Sequence, residues 1–575
     1  MGNYNLVTPV TPADIQERKA YFVGGGIASL TGAFFLLRDA RMPGENITIL
    51  EELDVKGGSL DGSGDAETGY IMRGGREMET HYECFYDVLR DIPSLEMGPE
   101  HSVLDEFCLI NDLDPNSSKC RLIRQQGTPQ DFSHLNLNRA QQRQLTKLFL
   151  MSEEDTYGKS MEDHFTPDFF DTDFFTFWRT MFAFQTWHSL TEQKRYMHRF
   201  IQHMGGINDM SALKFSKYNQ FDSFVKPIMK YLADHGVRTQ YATTVLDLEL
   251  ELTPQRRVVT GIRTLHEGRE QVIPVAERDL VFVTLGSMTE SSGYGDMHTP
   301  APLRPEKQNG AFTLWRNLAR KDEVFGHPDV FASHVDKSKW ESFTLTCKPS
   351  ALTEKIAQLA QRELLTGRTV TGGVITITDS NWLMSFTVNR QPQYPTQPKD
   401  IAVVWGYALF MHKPGNHIKK TMPECTGGEI LDELLYHLGL LGQRDEIMAQ
   451  TICRPVMMPY ITSMFMPRTK GDRPEIIPPG CVNLGLLGQF VETKDDVVFT
   501  VESSVRTAMQ AVYGLLKLNR PVPPVAPAQY DIRNILNAAH AMNNNKPLPG
   551  ERLLERFLQS GYYADKFGGN APEDR

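Results

Sequence analysis

Cysteine is scarce in this chain, seven in 575 residues, and no two are spaced as CxxC. The odd number and irregular spacing argue against a disulfide framework and fit a reducing compartment, so the cytoplasm is the expected location. No run of eighteen apolar residues occurs, and residues 1–19 hold no apolar stretch before a small-residue cleavage site. Neither a spanning helix nor an export signal is therefore expected. Positive charge is also short: 60 Lys and Arg stand against 71 Asp and Glu, for a net charge of −11. A nucleic-acid binder shows the opposite balance, so no nucleic-acid partner is expected. Several motifs are incomplete. Gly158-Lys159-Ser160 ends like a phosphate loop, but Glu153 stands where the first glycine belongs. No G-x-S-x-G elbow occurs, His81, Glu83 and Cys84 have no second ligand pair at zinc spacing, and no solenoid or propeller period is found.

What remains is an ordinary globular composition, 40% hydrophobic and 23% charged, in a chain long enough for two or three domains. The apolar run 20–23 reads as a buried strand. It ends at Gly24-Gly25-Gly26-Ile27-Ala28-Ser29, and residues 30–38 continue as a helix. The spacing matches G-x-G-x-x-G with Ser29 in the third position, where a small residue lets helix and strand pack closely. Such glycines admit a pyrophosphate to the helix N-terminus, whose free N–H groups and dipole favour negative charge. A second strand, 46–50, ends at Glu51 and Glu52, at the distance expected of a ribose-binding acid. A further cluster, Lys56-Gly57-Gly58-Ser59, is placed to pass close to the same ligand and points to FAD rather than NAD.

The stretch 70–78 follows, Tyr-Ile-Met-Arg73-Gly74-Gly75-Arg76-Glu77-Met78. Adjacent glycines are expected to take positive φ and approach a ligand. Glu77 then lies between two guanidinium groups and a soft thioether suited to an irregular apolar cavity. Residues 163–203 are the most aromatic part of the chain, with mostly helical spacing. Core packing accounts for most of these rings and a ligand cavity for a minority. Within them Arg195-Tyr196-Met197-His198 sets a phenol among basic residues, and nearby cations are expected to make it a better acid.

A helix over 223–235 and strands over 245–252, 258–265 and 280–284 come next, the last ending at Gly286-Ser287 as a return into the nucleotide domain. Strand-like residues fill 375–389 and 403–407. A third cofactor segment runs from residue 481 through Gly488, with a helix starting near Thr500 that can aim its dipole at the flavin. Pro521-Val522-Pro523-Pro524 links to a C-terminal piece in which Leu553, Leu554, Phe557 and Leu558 recur at helical spacing. A dimer contact, a membrane-surface helix and docking onto the body all remain open for it.

The fold class is thus α/β: a Rossmann-like FAD-binding domain with an inserted mixed α+β substrate domain and a helical C-terminal region. Residues 1–135, 236–300 and 471–520 are assigned to the cofactor domain. Residues 136–235 form an aromatic, mostly helical cavity part, 301–470 the substrate domain and 521–575 the helical end. From these residues alone a flavin-dependent oxidoreductase acting on a lipid-like substrate and a lipid-binding protein both stay open.

Taken together, residues 24–29, 73–78, 177–187, Arg195-Tyr196-Met197-His198, Thr387-Val388-Asn389-Arg390-Gln391-Pro392 and 496–502 resemble the oleate hydratase family, also called myosin-cross-reactive antigens. The similarity covers nearly the whole chain. It implies reversible addition of water to the cis-9 double bond of a free unsaturated fatty acid, with FAD in a non-redox role and its reduced form favouring activity. Glu77 matches the water-activating acid and Tyr196 the tyrosine that protonates the alkene. Gln220, Thr387 and Asn389 match residues at the substrate carboxylate. Gln393 stands where the family often has His, which puts chain-length preference and affinity in question. A neutral amide donates a hydrogen bond but brings no positive charge. The resemblance further implies a homodimer and peripheral membrane contact through the C-terminal helices.

Overall fold

The computed structural model describes residues 7–546 and 548, apart from 56, 61 and 495. Its first layer is a five-stranded parallel sheet in the order Leu484–Leu487, Leu280–Thr284, Ala20–Val23, Ile47–Leu50, Arg238–Gln240. Apart from the edge strand Arg238–Gln240, these strands are short, mainly apolar runs because both faces are covered. Ala20 and Phe22 enter one core with Ile47, Ile49 and Phe282, while Tyr21 and Val23 enter the other with Leu50 and Val283. The two-residue alternation of a strand thus divides its side chains between two cores. Phe22 and Phe282 stack at 4.6 Å, and the helices Ile27–Arg38 and Val501–Leu516 pack on that side.

The second layer is an eight-stranded sheet in the order Gly293–Tyr294, Thr451–Met458, Trp340–Cys347, Ala402–Ala408, Ser385–Thr387, Ile375–Ile377, Leu122–Arg124, Thr128–Pro129. Every pairing is antiparallel except Ile375–Ile377 with Leu122–Arg124. Residues 122–129 and 293–294, assigned to the cofactor domain from sequence, therefore lie at the two ends of this sheet. Their strands are only two or three residues long, too short for a readable period, and Leu122 pairs with Thr376. A three-stranded meander, Thr243–Thr253, Arg256–His266 and Arg269–Pro274, projects from the chain between two strands of the parallel sheet.

Two local details depart from the sequence reading. Asn46 closes a 3-10 turn ahead of its strand. The helix expected over 223–235 opens as one π turn, Phe221–Val225, before regular helix at Lys226–Asp234. Pro227 lacks an N–H and is tolerated only in the first turn, so α-helical hydrogen bonding becomes regular after it. The aromatic segment forms the helices Asp173–Phe182 and Leu190–Arg199, and the C-terminal region contributes Ile532–Met542. The amphipathic residues 553–558 lie outside the described residues.

Candidate functional site

The hairpin Gly62–Asp65 and Gly69–Met72 lies on the eight-stranded sheet, where the amides of Tyr70 and Met72 donate to Thr346 Oγ1 (2.8 Å) and Thr344 Oγ1 (2.9 Å). Its second strand delivers the chain to Arg73. At the far end, Met78 and Lys214 exchange backbone hydrogen bonds of 3.0 and 2.8 Å. Residues 73–78 are thus a loop pinned at both ends, and all six line a cavity of about 840 Å³. That volume is near the top of the range for ligand sites.

One arm of the cavity is built from glycine turns. Gly24 has φ +90°, and Gly26 pairs with Gly57 as an isolated bridge. A Cβ on Gly58 would stand 3.1 Å from Gly26 Cα, so only bare backbone fits where the two turns meet. Gly24, Gly26, Ala28, Glu51, Glu52, Gly58 and Ser59 line this arm, joined by Gly286, Ser287, Gly488 and Thr500. Ser29 does not reach the wall: it is fully buried with Oγ 3.3 Å from Thr284 Oγ1, the close-packing role of a small residue behind the turn. Glu51 accepts from the Gly25 amide at 2.6 Å and the Leu53 amide at 2.8 Å. Burial raises its carboxyl above the ordinary range against those two donors. Thr500 caps the helix Val501–Leu516 by accepting from the Ser503 amide. Arg73 donates to the Gly58 carbonyl at 2.6 Å and Arg76 to the Ser59 carbonyl at 2.8 Å, which ties the loop to this arm. Bare glycine backbone, a capped helix start and buried Gln489 Oε1 and Ser291 Oγ without protein partners together fit an elongated dinucleotide such as FAD.

The other arm is apolar. Of the aromatic segment, Trp178, Phe182, Tyr196 and Phe200 line it, with Met181, Met204 and Met210, while Phe165, Phe169, Phe174 and Phe177 are core. Trp340, Trp405 and Tyr407 complete the wall from the large sheet. The sequence reading recognised the strand carrying Trp405 and Tyr407 but not their place here. Their i, i+2 spacing, which puts two aromatics on one strand face, was the available signal.

Glu77 sits where the arms meet. Burial raises its carboxyl above the ordinary range, with Arg76 opposing. The glycines before it do not take the expected positive φ. Their constraint is space: a Cβ on Gly75 would come within 2.9 Å of the Trp405 ring and 3.2 Å of Glu77 Oε1.

Tyr196 is 1% exposed, its ring among Phe182, Phe184, Phe200 and Phe465 at centroid distances of 5.1, 5.1, 5.6 and 5.7 Å. Its hydroxyl donates to the Val498 carbonyl at 2.5 Å. The expectation that neighbouring cations acidify it is overturned. Burial and the nearby Glu192 carboxylate push the phenol well above its ordinary value. Arg195 is committed to Glu153 (2.6 Å) and Glu492 (2.7 Å), and His198 faces the Phe149 carbonyl at 2.9 Å.

The predicted carboxylate-binding residues divide. Gln220 lines the main cavity and, with Asn389 and Gln393, a second pocket of about 20 Å³ behind Gly74 and Arg76. Thr387 lines neither: its hydroxyl is spent on Thr371 Oγ1 (2.9 Å) and Asn389 Oδ1 (3.3 Å) within the sheet. With its side-chain oxygen and nitrogen interchanged, the orientation its neighbours favour, the Gln393 amide donates to the Arg390 carbonyl and accepts from the Asn219 amide, both at 3.2 Å.

Beyond Met78 the character reverses. Glu79 pairs with Arg199 (2.9 Å) and His203 (3.1 Å), Arg199 with Asp496 (3.3 Å), Asp496 with Arg506 (3.0 Å) and Arg506 with Glu502 (2.8 Å). Glu502 accepts in turn from the amides of Cys84 and Phe85. Burial alone would raise Glu79, but the His203 hydrogen bond and the Arg199 charge hold it at about 2. His81 and Glu83 belong to this polar edge, and no metal-binding group of three His, Cys, Asp or Glu occurs among the described residues.

A family model described as the MCRA family matches residues 17–513. The chain is 45% identical over 568 residues to an oleate hydratase of Streptococcus pyogenes serotype M49 (strain NZ131), covering 97% of this chain and 96% of that protein. It is 30% identical over 534 residues to a linoleate hydratase of Lactiplantibacillus plantarum, covering 86% and 93%. Among solved structures, an oxidoreductase from Methanosarcina mazei superposes with a TM-score of 0.44 at 11% identity, covering 86% of this chain and 99% of that one, too loosely to add to the description.

Proposed function

The chain belongs to the MCRA family, and from that premise we propose that it hydrates the cis-9 double bond of free unsaturated fatty acids, reversibly converting oleate to 10-hydroxystearate. The relatives named oleate hydratase and linoleate hydratase support the reaction class. In this chain one observation carries the reading: Glu77 and Tyr196 line the same cavity, at the junction of a glycine-walled arm and an apolar one.

The chemistry follows from those two groups. The Tyr196 hydroxyl gives its proton to one alkene carbon, the π pair forms the new C–H bond, and positive charge develops on the adjacent carbon. Water adds there while Glu77 takes its proton, and exchange with solvent returns a proton to Tyr196. The sum is one water added, with no net oxidation. A phenol held above its ordinary pKa is fully protonated before the step, as a donor must be. The surrounding rings exclude water until the charge forms and present electron-rich faces to it. Glu77, the carboxyl at the junction of the arms, stabilises that charge and orients the water. Gln220, Asn389 and Gln393 offer amide donors for the substrate carboxylate at the small pocket.

The glycine turns, Glu51 and the Thr500 helix start would hold FAD, which when bound would support the reaction without exchanging electrons in its net balance, its reduced form favouring activity. We place the protein in the cytoplasm as a homodimer touching the membrane surface through its C-terminal region. The exposed Tyr530, Ile532 and Ile535 at the helix Ile532–Met542 support such a contact. Among the described residues no helix is long and apolar enough to cross a membrane.

Anaerobic incubation with oleate and reduced FAD, followed by mass spectrometry, tests the reading. The expected product carries one added water, and no such product would sink it. Continuous turnover at constant flavin absorbance separates hydration from oxidoreductase chemistry.

A further inference from the structure

Glu290 is a carboxyl on the cavity wall that the proposed reaction does not use. It follows Gly286 and Ser287 in the loop after the strand Leu280–Thr284, on the glycine-walled arm. It is 9% exposed, and its Oε2 accepts from the Phe312 amide at 3.3 Å, at the start of the helix Ala311–Lys321. Its Oε1 is buried with no protein partner. The carboxyl rests against bare backbone at Gly310, where a Cβ would fall 2.2 Å from Oε1.

The described charges around it are largely paired with one another. Glu306 is engaged by Arg316, and Glu52 is paired with Lys307 at 2.5 Å. Arg304 lines the same cavity, and the Tyr460 phenol lies close enough to feel the Glu290 charge. Among the described residues Glu290 itself enters no ion pair. A buried carboxylate without a cation is costly, and the inexpensive state is the neutral acid. A neutral acid brings one O–H donor, and Oε1 has no hydrogen-bond partner within the protein.

We infer that Glu290 contacts the bound FAD as a protonated carboxyl donating to an acceptor of the dinucleotide, so that cofactor binding is linked to proton uptake. The inference rests on the FAD reading above. Burial, with Glu306 and Glu52 adding to it against the backbone amides of Phe312 and Ala311, raises this carboxyl to about 7, so the protonated fraction changes within the physiological range. The sign is fixed by linkage. FAD selects the protonated form, so affinity is full below that value and falls as pH rises through it, by up to about tenfold per pH unit.

The experiment is titration of the full-length protein with FAD from pH 6 to 9, by flavin fluorescence and by calorimetry in two buffers of different ionisation enthalpy. Wild type is expected to take up close to one proton per FAD at pH 8 and to weaken across the range. Glu290→Gln, which donates like the acid but does not titrate, is expected to keep the low-pH affinity and lose both the slope and the proton uptake. Glu290→Leu is expected to lose slope and uptake together with part of the affinity. The inference is overturned if wild type takes up no proton, or if either variant keeps the wild-type slope. Folded Glu290→Gln that binds no FAD at any pH also overturns it. A wild-type chain that binds no FAD at all removes the cofactor reading itself, a result distinct from binding without proton uptake.

Discussion

Glu77 and Glu79 stand two residues apart on one pinned loop, and their surroundings are opposites. Glu77 faces the apolar junction with Arg76 and its own backbone amide to offset its burial, and its carboxyl titrates above the ordinary range. Glu79 enters a buried ladder of alternating charge through Arg199, Asp496, Arg506 and Glu502, and titrates near 2. The difference separates two tasks for one residue type. A carboxyl that must take a proton during a reaction needs a pKa near working pH, whereas one that must hold a loop in place needs permanent charge.

The largest test of this contrast is Glu77→Ala, expected to lower turnover by about 10²–10⁴-fold while FAD and oleate still bind. Tyr196→Phe should do the same. If the Glu77 variant loses FAD binding instead, that carboxyl belongs with Glu79 as a fastening and the contrast collapses. On the other side of the loop, Arg199→Met removes the buried cation shared by Glu79 and Asp496, leaving them to His203 and Arg506, and should cost about 3–5 kcal/mol in denaturant unfolding. Adding Glu79→Gln should restore part of that loss, since the two residues share one interaction.

pH separates the two carboxyls without mutation. Glu77 must be ionised to act as a base, so kcat/KM should fall on acidification through a value above the usual carboxylate range. The Glu79 contribution to stability has the sign of a depressed acid. It is fully present above the unfolded value of about 4.3 and is lost as pH falls toward about 2. Activity should therefore disappear well before the fold weakens, as paired activity and circular-dichroism titrations would show; coincident losses would erase the distinction. The smallest expected effect is at the small pocket, where Gln393→His should lower KM for oleate a few-fold below about pH 6.5 and lose that gain as the imidazole deprotonates.

The half built on the parallel sheet was readable because its signals are local. The strand Ala20–Val23, its glycine turn and Glu51 lie within about thirty residues and follow periodic or motif rules. Residues 122–129 were misplaced because two- and three-residue strands carry no period, and their partner lies some 250 positions onward. The misreading of Tyr196 is the most instructive. Arg195 and His198 are its close neighbours in sequence, yet on a helix adjacent residues point about 100° apart, and these basic groups face other partners. The environment of the phenol comes instead from Phe465, the Val498 carbonyl and the Glu192 carboxylate.

Sequence by itself determined which chemical groups are available and where the backbone must be bare: the acid at Glu77, the phenol at Tyr196, the glycine turns and the helix start at Thr500. Tertiary structure alone decided what those groups are worth. It put Trp405 against Gly75, set the Glu192 carboxylate near Tyr196, kept Thr387 from the cavity wall and left Glu290 Oε1 without a hydrogen-bond partner. The reason is physical: desolvation and charge pairing depend on atoms within a few ångströms, and those atoms come from segments hundreds of residues apart in the chain.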